Sequence, residues 1–238
     1  MFEFITKTMY WRDLETPEVE ARLAQTHRQL ICMKHAQDAF ILGRIGESTG
    51  KRIVEVGGGW GRVLRTLDPT NERWNLDKSA GPGRVGAEVG RSMPKEFRLV
   101  NALLGDFSQD LPDGYFDIVF SISVMEHIPA SAIPAFWEDH ARIMRPGGIA
   151  YHAIDFYLGD KPLSVNETRL DSYLEGIQKN GLQLIGVPNI TRPAIFSASF
   201  ASAPDLTMLH MNEISPALAA ARHHRQNVSL AVGVCRPA

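Results

Sequence analysis

With 238 residues the chain has room for one α/β domain with a core of its own and is short for two. Hydrophobic residues make up 44% and charged residues 22%, which excludes a largely disordered chain. Twenty-five Lys and Arg against 27 Asp and Glu leave a formal net charge of −2, too weak a field to gather nucleic acid or anionic lipid.

The stretch from Met1 to Asp13 lacks the basic start and apolar run of a secretion signal, and no segment reaches membrane-spanning length. The two cysteines, Cys32 and Cys235, offer no zinc spacing and fit buried thiols. The expectation is a cytoplasmic protein with no membrane partner.

From Thr16-Pro17 to about Ile45, Val19, Leu23, Leu30, Ile31, Phe40 and Ile41 recur at helical spacing and predict an N-terminal helical layer. Ile53 to Val56 reads as a buried strand running into Gly57-Gly58-Gly59-Trp60-Gly61, with a helix expected from about Arg62 to Leu67. Strands follow at Trp74 to Leu76, Phe97 to Leu104 and Phe116 to Ser123; Ser79 to Met93, rich in Gly and Arg, reads as loop. Ser131 to Met144 predicts a helix stopped by Pro146-Gly147-Gly148. Ile149 to Phe156 is the fifth strand, Leu170 to Lys179 a helix, Leu182 to Val187 a sixth strand, Asn212 to His223 a helix and Val228 to Val234 the last strand. Such alternation predicts a parallel sheet covered on both faces, whose ligands collect beyond the carboxyl ends of the strands.

Three features fall at that edge. Glycines let the backbone turn tightly and let a ligand approach without a Cβ in the way. Their spacing, Gly57-x-Gly59-x-Gly61, is not the Gly-x-Gly-x-x-Gly of pyrophosphate sites, and Glu55, buried just ahead of them, suits a cationic ligand or bound water better than a diphosphate. Asp77, at the end of the second strand, can accept both hydroxyls of a ribose. Asp106 and Phe107, after the third, offer an acceptor for an exocyclic amine and an aromatic face for a purine.

In order along the chain, Ile53 to Gly61, Asn75-Leu76-Asp77, Leu104 to Phe107, Phe116 to Ile128 and Arg145 to Gly148 resemble the motifs of class I S-adenosylmethionine-dependent methyltransferases. The resemblance implies a Rossmann-like three-layer α/β sandwich with a seven-stranded, mostly parallel sheet, its last strand antiparallel, under an N-terminal helical cap. It divides one domain into residues 1–48, the helices; 50–156, the cofactor-binding core; and 157–238, the substrate-side half. It implies S-adenosyl-L-methionine as cofactor, held by Glu55, Gly57, Gly58, Gly59, Gly61, Asp77, Asp106, Phe107 and Ser123.

Methyl transfer to a hydroxyl benefits from a base, worth about 10²–10⁴-fold. Candidates are His127, His152 and Asp155, with Glu126 beside the first. Strand alternation places His152 and Asp155 on opposite faces unless the strand ends near Ile154. The segment His152 to Phe156 is similar to one in methyltransferases of polysaccharide and glycan assembly, which makes a sugar or other small-molecule hydroxyl the expected acceptor. Glu126, His127, His152, Asp155 and Asp160 have no diagnostic metal spacing, so no metal is expected. Phe196, Phe200, Met208 and Met211 are candidates for an apolar lid. Nucleic acid is disfavoured as a partner, and an oligomer stays open. The rival readings are an NAD-dependent oxidoreductase and a regulator that binds the cofactor without turnover.

Overall fold

The computed structural model describes residues 1–26, 33–78, 95–209 and 225–238. In chain order the elements are β1 (Phe2–Phe4), α1 (Lys7–Leu14), α2 (Pro17–Thr26), α3 (Met33–Ile45), β2 (Arg52–Val56), β3 (Glu72–Leu76), β4 (Arg98–Val100), β5 (Phe116–Ile122), α4 (Ile133–Ile143), β6 (Met144–Gly159), α5 (Ser164–Lys179), β7 (Gln183–Leu184), α6 (Phe196–Ser202), β8 (Met208–Leu209) and β9 (Arg225–Cys235). They build one sheet with the order β1-β9-β6-β5-β2-β3-β4, to which β7 and β8 add short pairings with β9. The strands run parallel except β9, which is antiparallel to every neighbour.

The sheet is the middle of three layers. On one face Ile53, Ile118, Phe120 and Ala153 pack against Val19, Leu23, Phe40 and Ile41 of the helical cap. On the other, Val54, Val119, Ala150 and Ile154 pack against Phe136, Trp137 and Tyr173 of α4 and α5. Strand alternation sorts the side chains, and each large one fully enclosed contributes roughly 1.5–3 kcal/mol.

Several elements differ from expectation. The helix expected after the glycines is only a 3-10 turn, Leu64–Thr66, because Asp68-Pro69 ends the segment before a second helical turn can close. The third strand shrinks to three residues and the fifth extends to Gly159. The sixth strand keeps only Gln183–Leu184. The outer edge of β9 is shared: β7 pairs at Val234–Cys235, β1 at Leu230–Val232 and β8 at Asn227–Val228. β1 and α1, absent from the sequence reading, come from a segment too short to show a period. Leu30, Ile31 and Cys32, the loop at Ser79 to Met93, Met211 and the helix at Asn212 to His223 lie outside the described residues.

Candidate active site

The glycine turn follows β2 directly, and Gly57, Gly59 and Gly61 have φ of +64°, +51° and +60°, backbone that L residues with a Cβ rarely adopt. A Cβ on Gly57 would meet Val124 Cγ2 at 2.5 Å, whereas one on Gly59 would meet nothing within 4 Å. The turn is therefore packed on its inner side and open above Gly59. Asp77 Oδ2 accepts from the Gly59 N–H at 2.9 Å, which ties the end of β3 to the turn. Its other oxygen has no hydrogen bond among the described residues.

Beneath the turn lies a buried polar cluster. Glu55 is 2% exposed, its Oε2 has no hydrogen-bond partner among the described residues, and burial pushes its carboxyl up to about 8, with Arg62 opposing and Asp38 reinforcing the shift. Arg62 forks onto Asp38 of α3 at 2.8 and 2.9 Å, and Asn75 Nδ2 donates to Gly59 O at 2.9 Å. A Cβ on Gly58 would strike Asn75 Oδ1 and Glu55 Cδ, so this position admits only glycine without rearrangement.

Phe107 and Ser123, at φ of +53° and +55°, are the non-glycine residues with left-handed backbone among the described residues. Strain of this kind, of order 1–3 kcal/mol each, persists where surrounding contacts enforce it and gathers at functional sites. Phe107 is held by its N–H to Asp139 Oδ2 at 3.2 Å, a carboxylate that also receives the Gly105 N–H at 2.7 Å. Its ring is exposed; Asp106 is exposed too and accepts from the Leu103 N–H.

Ser123 opens a second cluster, on the cap side of the sheet. Asp155, on β6, receives Lys34 Nζ at 3.0 and 2.9 Å, Gln37 Nε2 at 2.7 Å and Ser123 Oγ at 3.0 Å. Lys34 also donates to Ser123 Oγ, and Gln37 Nε2 to Ser229 Oγ of β9. Lys34, Gln37 and Asp38 share one face of α3, so a single helix face serves both polar clusters.

Glu126 stands beside Asp155 in the 3-10 turn Met125–His127, which Arg169 and Tyr173 of α5 fasten through the carbonyls of Glu126 and Met125. Its side chain is 12% exposed, and neither carboxylate oxygen meets the geometry of a full hydrogen bond among the described residues. Burial, then the charge of Asp155, pushes its carboxyl up to about 7; nearby backbone N–H groups and Lys34 offset this only in part. His127 is 70% exposed, with Nε2 3.7 Å from Glu126. Because Val124 both precedes this turn and packs on Gly57, the two clusters meet at one edge.

His152 is a correction. β6 does not end near Ile154, so alternation carries His152 to the opposite face, fully buried, where Nδ1 pairs with Ser121 Oγ at 2.8 Å and Nε2 with His140 Nε2 at 3.1 Å. Burial pushes its imidazole down to about 3, and a ring so enclosed does not reach an acceptor. Phe196, packed against the α4–α5 core and stacked on Phe200, lies with that layer rather than over Asp155. Asp160 is exposed, and no group of three metal-ligating side chains occurs among the described residues. The sequence reading missed Lys34, Gln37 and Asp38. A signal existed: polar residues interrupt the apolar face of a cap helix, and Gln37 and Asp38 are completely buried.

The open space above Gly59, the spare oxygen of Asp77 and the exposed ring of Phe107 follow the carboxyl ends of β2, β3 and β4, along one edge of the sheet. A family model described as methyltransferase domain matches residues 54–152. No curated protein matches the chain. Among solved structures, the geranyl diphosphate C-methyltransferase of Streptomyces coelicolor A3(2), in complex with Mg2+, geranyl-S-thiolodiphosphate and S-adenosyl-L-homocysteine, is similar at 13% identity and TM-score 0.53, over 84% of this chain and 75% of that one. Phosphoethanolamine N-methyltransferase 2 of Haemonchus contortus, in complex with S-adenosyl-L-methionine, aligns at 13% identity and TM-score 0.56, over 92% and 57%. The [4+2]-cyclase SpnF aligns at 16% identity and TM-score 0.53, over 99% and 97%. At these identities the likeness speaks for the fold, a Rossmann-like mixed sheet flanked by helices.

Proposed function

We propose that this chain, whose residues 54–152 match a methyltransferase domain, is a class I enzyme that takes a methyl group from S-adenosylmethionine and delivers it to a hydroxyl of a small molecule, sugars included. The cofactor supplies a methyl group on a sulfonium, so transfer breaks the carbon–sulfur bond, leaves the electron pair on sulfur and releases the acceptor's proton. Gly57, Gly58, Gly59 and Gly61, with Glu55 beneath them, cradle the amino-acid end; Asp77 takes the ribose hydroxyls, and Asp106 and Phe107 frame the adenine. Ser123 fixes the floor between cofactor and acceptor. Positioning in such a dry site can supply roughly 7–11 kcal/mol.

The observation that carries the hydroxyl reading is Glu126: an enclosed carboxylate, free of full hydrogen bonds among the described residues, whose proton affinity lies near neutral. It receives the acceptor's proton as the new oxygen–carbon bond forms. Asp155, occupied by Lys34, Gln37 and Ser123, orients the acceptor instead. Exposed His127 gives the proton a way out to water.

Radiolabelled S-adenosylmethionine offered with panels of small alcohols, sugars and amines tests this. Label should reach a hydroxyl, and Glu126→Gln should lower turnover by about 100-fold or more. Label reaching only nitrogen or carbon would replace the hydroxyl reading. Tight S-adenosylhomocysteine binding with no transfer to any acceptor would favour the regulator, and stabilisation by NADH instead would favour the oxidoreductase.

A further inference from the structure

We propose that Lys34, on the cap helix α3, is a positioning residue: by clamping Asp155 of β6 and Ser123 just after β5, it controls how readily Glu126 takes the acceptor's proton. This rests on the reading of Glu126 as proton acceptor and adds to it a residue from outside the motif-bearing core.

The geometry is specific. Lys34 Nζ reaches both oxygens of Asp155 and the hydroxyl of Ser123, spanning 121 positions of sequence to the first and 89 to the second. Gln37, one helical turn on, holds Asp155 Oδ1 from a second direction at 2.7 Å. Among the described residues, Asp155 is thus fixed by three donors while Glu126, its neighbour, has no full hydrogen bond of its own. A fixed negative charge beside an enclosed carboxyl raises that carboxyl's proton affinity, and a fixed ammonium lowers it. Both act on Glu126, in those directions.

Among the described residues, the other groups near Glu126 come from β6, α5 and its own turn. Tyr157 of β6 is neutral in the working range, since burial and the charges of Asp155 and Glu126 push its phenol up. From α5, Arg169 binds the Glu126 carbonyl, and Tyr173 is pushed up to about 12 by burial. His127, on the same turn, is exposed. Among the described residues of the cap, Lys34 is therefore the cation whose charge acts on this carboxyl.

The experiment uses the full chain with its Glu side chains carrying ¹³C at the carboxyl carbon, the Glu126 signal being assigned by its loss in Glu126→Gln. Titration by NMR is read for the wild type, Lys34→Met, Lys34→Arg and Asp155→Asn, alongside S-adenosylhomocysteine affinity by calorimetry. Lys34→Met should raise the Glu126 midpoint by about 0.5 pH unit or more, and Lys34→Arg should bring it back. Asp155→Asn should lower it, which keeps the proposal open to refutation if Lys34→Met does not fold. S-adenosylhomocysteine affinity should stay within about twofold in the Lys34 variants. An unmoved midpoint in folded Lys34→Met or Asp155→Asn, or no recovery in Lys34→Arg, overturns the proposal. Failure of the wild type to bind S-adenosylhomocysteine would instead remove the methyltransferase reading itself.

Discussion

The glycine turn and the carboxylate cluster lie at one sheet edge, yet they are built in opposite ways. At the turn the backbone carries the arrangement: three left-handed glycines and one N–H to Asp77, all within a short run of sequence. At the cluster, side chains do: Lys34 and Gln37 from the cap, Ser123 and Glu126 after β5, Asp155 from β6 and Ser229 from β9. A backbone device depends on residues that cannot be exchanged, whereas a side-chain device depends on helices and strands being brought together. The first is suited to an invariant ligand and the second to a variable one.

Breaking the turn should have the largest effect. Gly59→Val puts a branched side chain at φ +51° into the open space, and S-adenosylhomocysteine affinity measured by calorimetry should fall about 100-fold or more, equal to about 2.7 kcal/mol. Asp77→Ala removes the anchor of Gly59 and, on the proposed reading, a ribose partner, and should weaken the same binding by about 1–3 kcal/mol.

The face opposite the cluster sharpens the contrast, because its polar groups hold structure rather than ligand. His152 has its imidazole pushed down to about 3, so the unfolded chain takes up the proton first. Its stability contribution is complete above about pH 6.5 and is lost as pH falls toward 3, at up to about 1.4 kcal/mol per pH unit. Comparing wild type with His152→Leu by chemical denaturation between pH 7.5 and 5 isolates this slope from those of His140, whose imidazole burial also pushes down, and of Glu55, and the variant should leave S-adenosylhomocysteine affinity unchanged. Glu55 works in reverse: with its carboxyl pushed up to about 8, it supports the fold at low pH and costs stability as pH rises through that value. His127→Ala should do least, changing stability by under about 0.5 kcal/mol, since the ring is 70% exposed.

The same contrast explains what could be read in advance. The strands, the glycine turn and Asp77 were legible because each is a local pattern: a period of two, a run of glycines, an acid at a strand end. The pairing of Lys34 with Asp155 was not, because no local rule links positions 121 apart. The face of His152 depended on where β6 ends, and the strand ran on to Gly159 because β9 pairs with it along its whole length from Ile149. The sixth strand was overestimated for a similar reason, since Phe2–Phe4 occupies the middle of the edge it would have used.

A crystal structure of the full chain with S-adenosylhomocysteine tests the central claim most directly. The account predicts the ribose on Asp77, the amino-acid end over Gly57 to Gly61, and the sulfur facing Glu126 and Asp155 across the floor set by Ser123. A thioether bound elsewhere, or with its sulfur turned away from those two carboxylates, would contradict it.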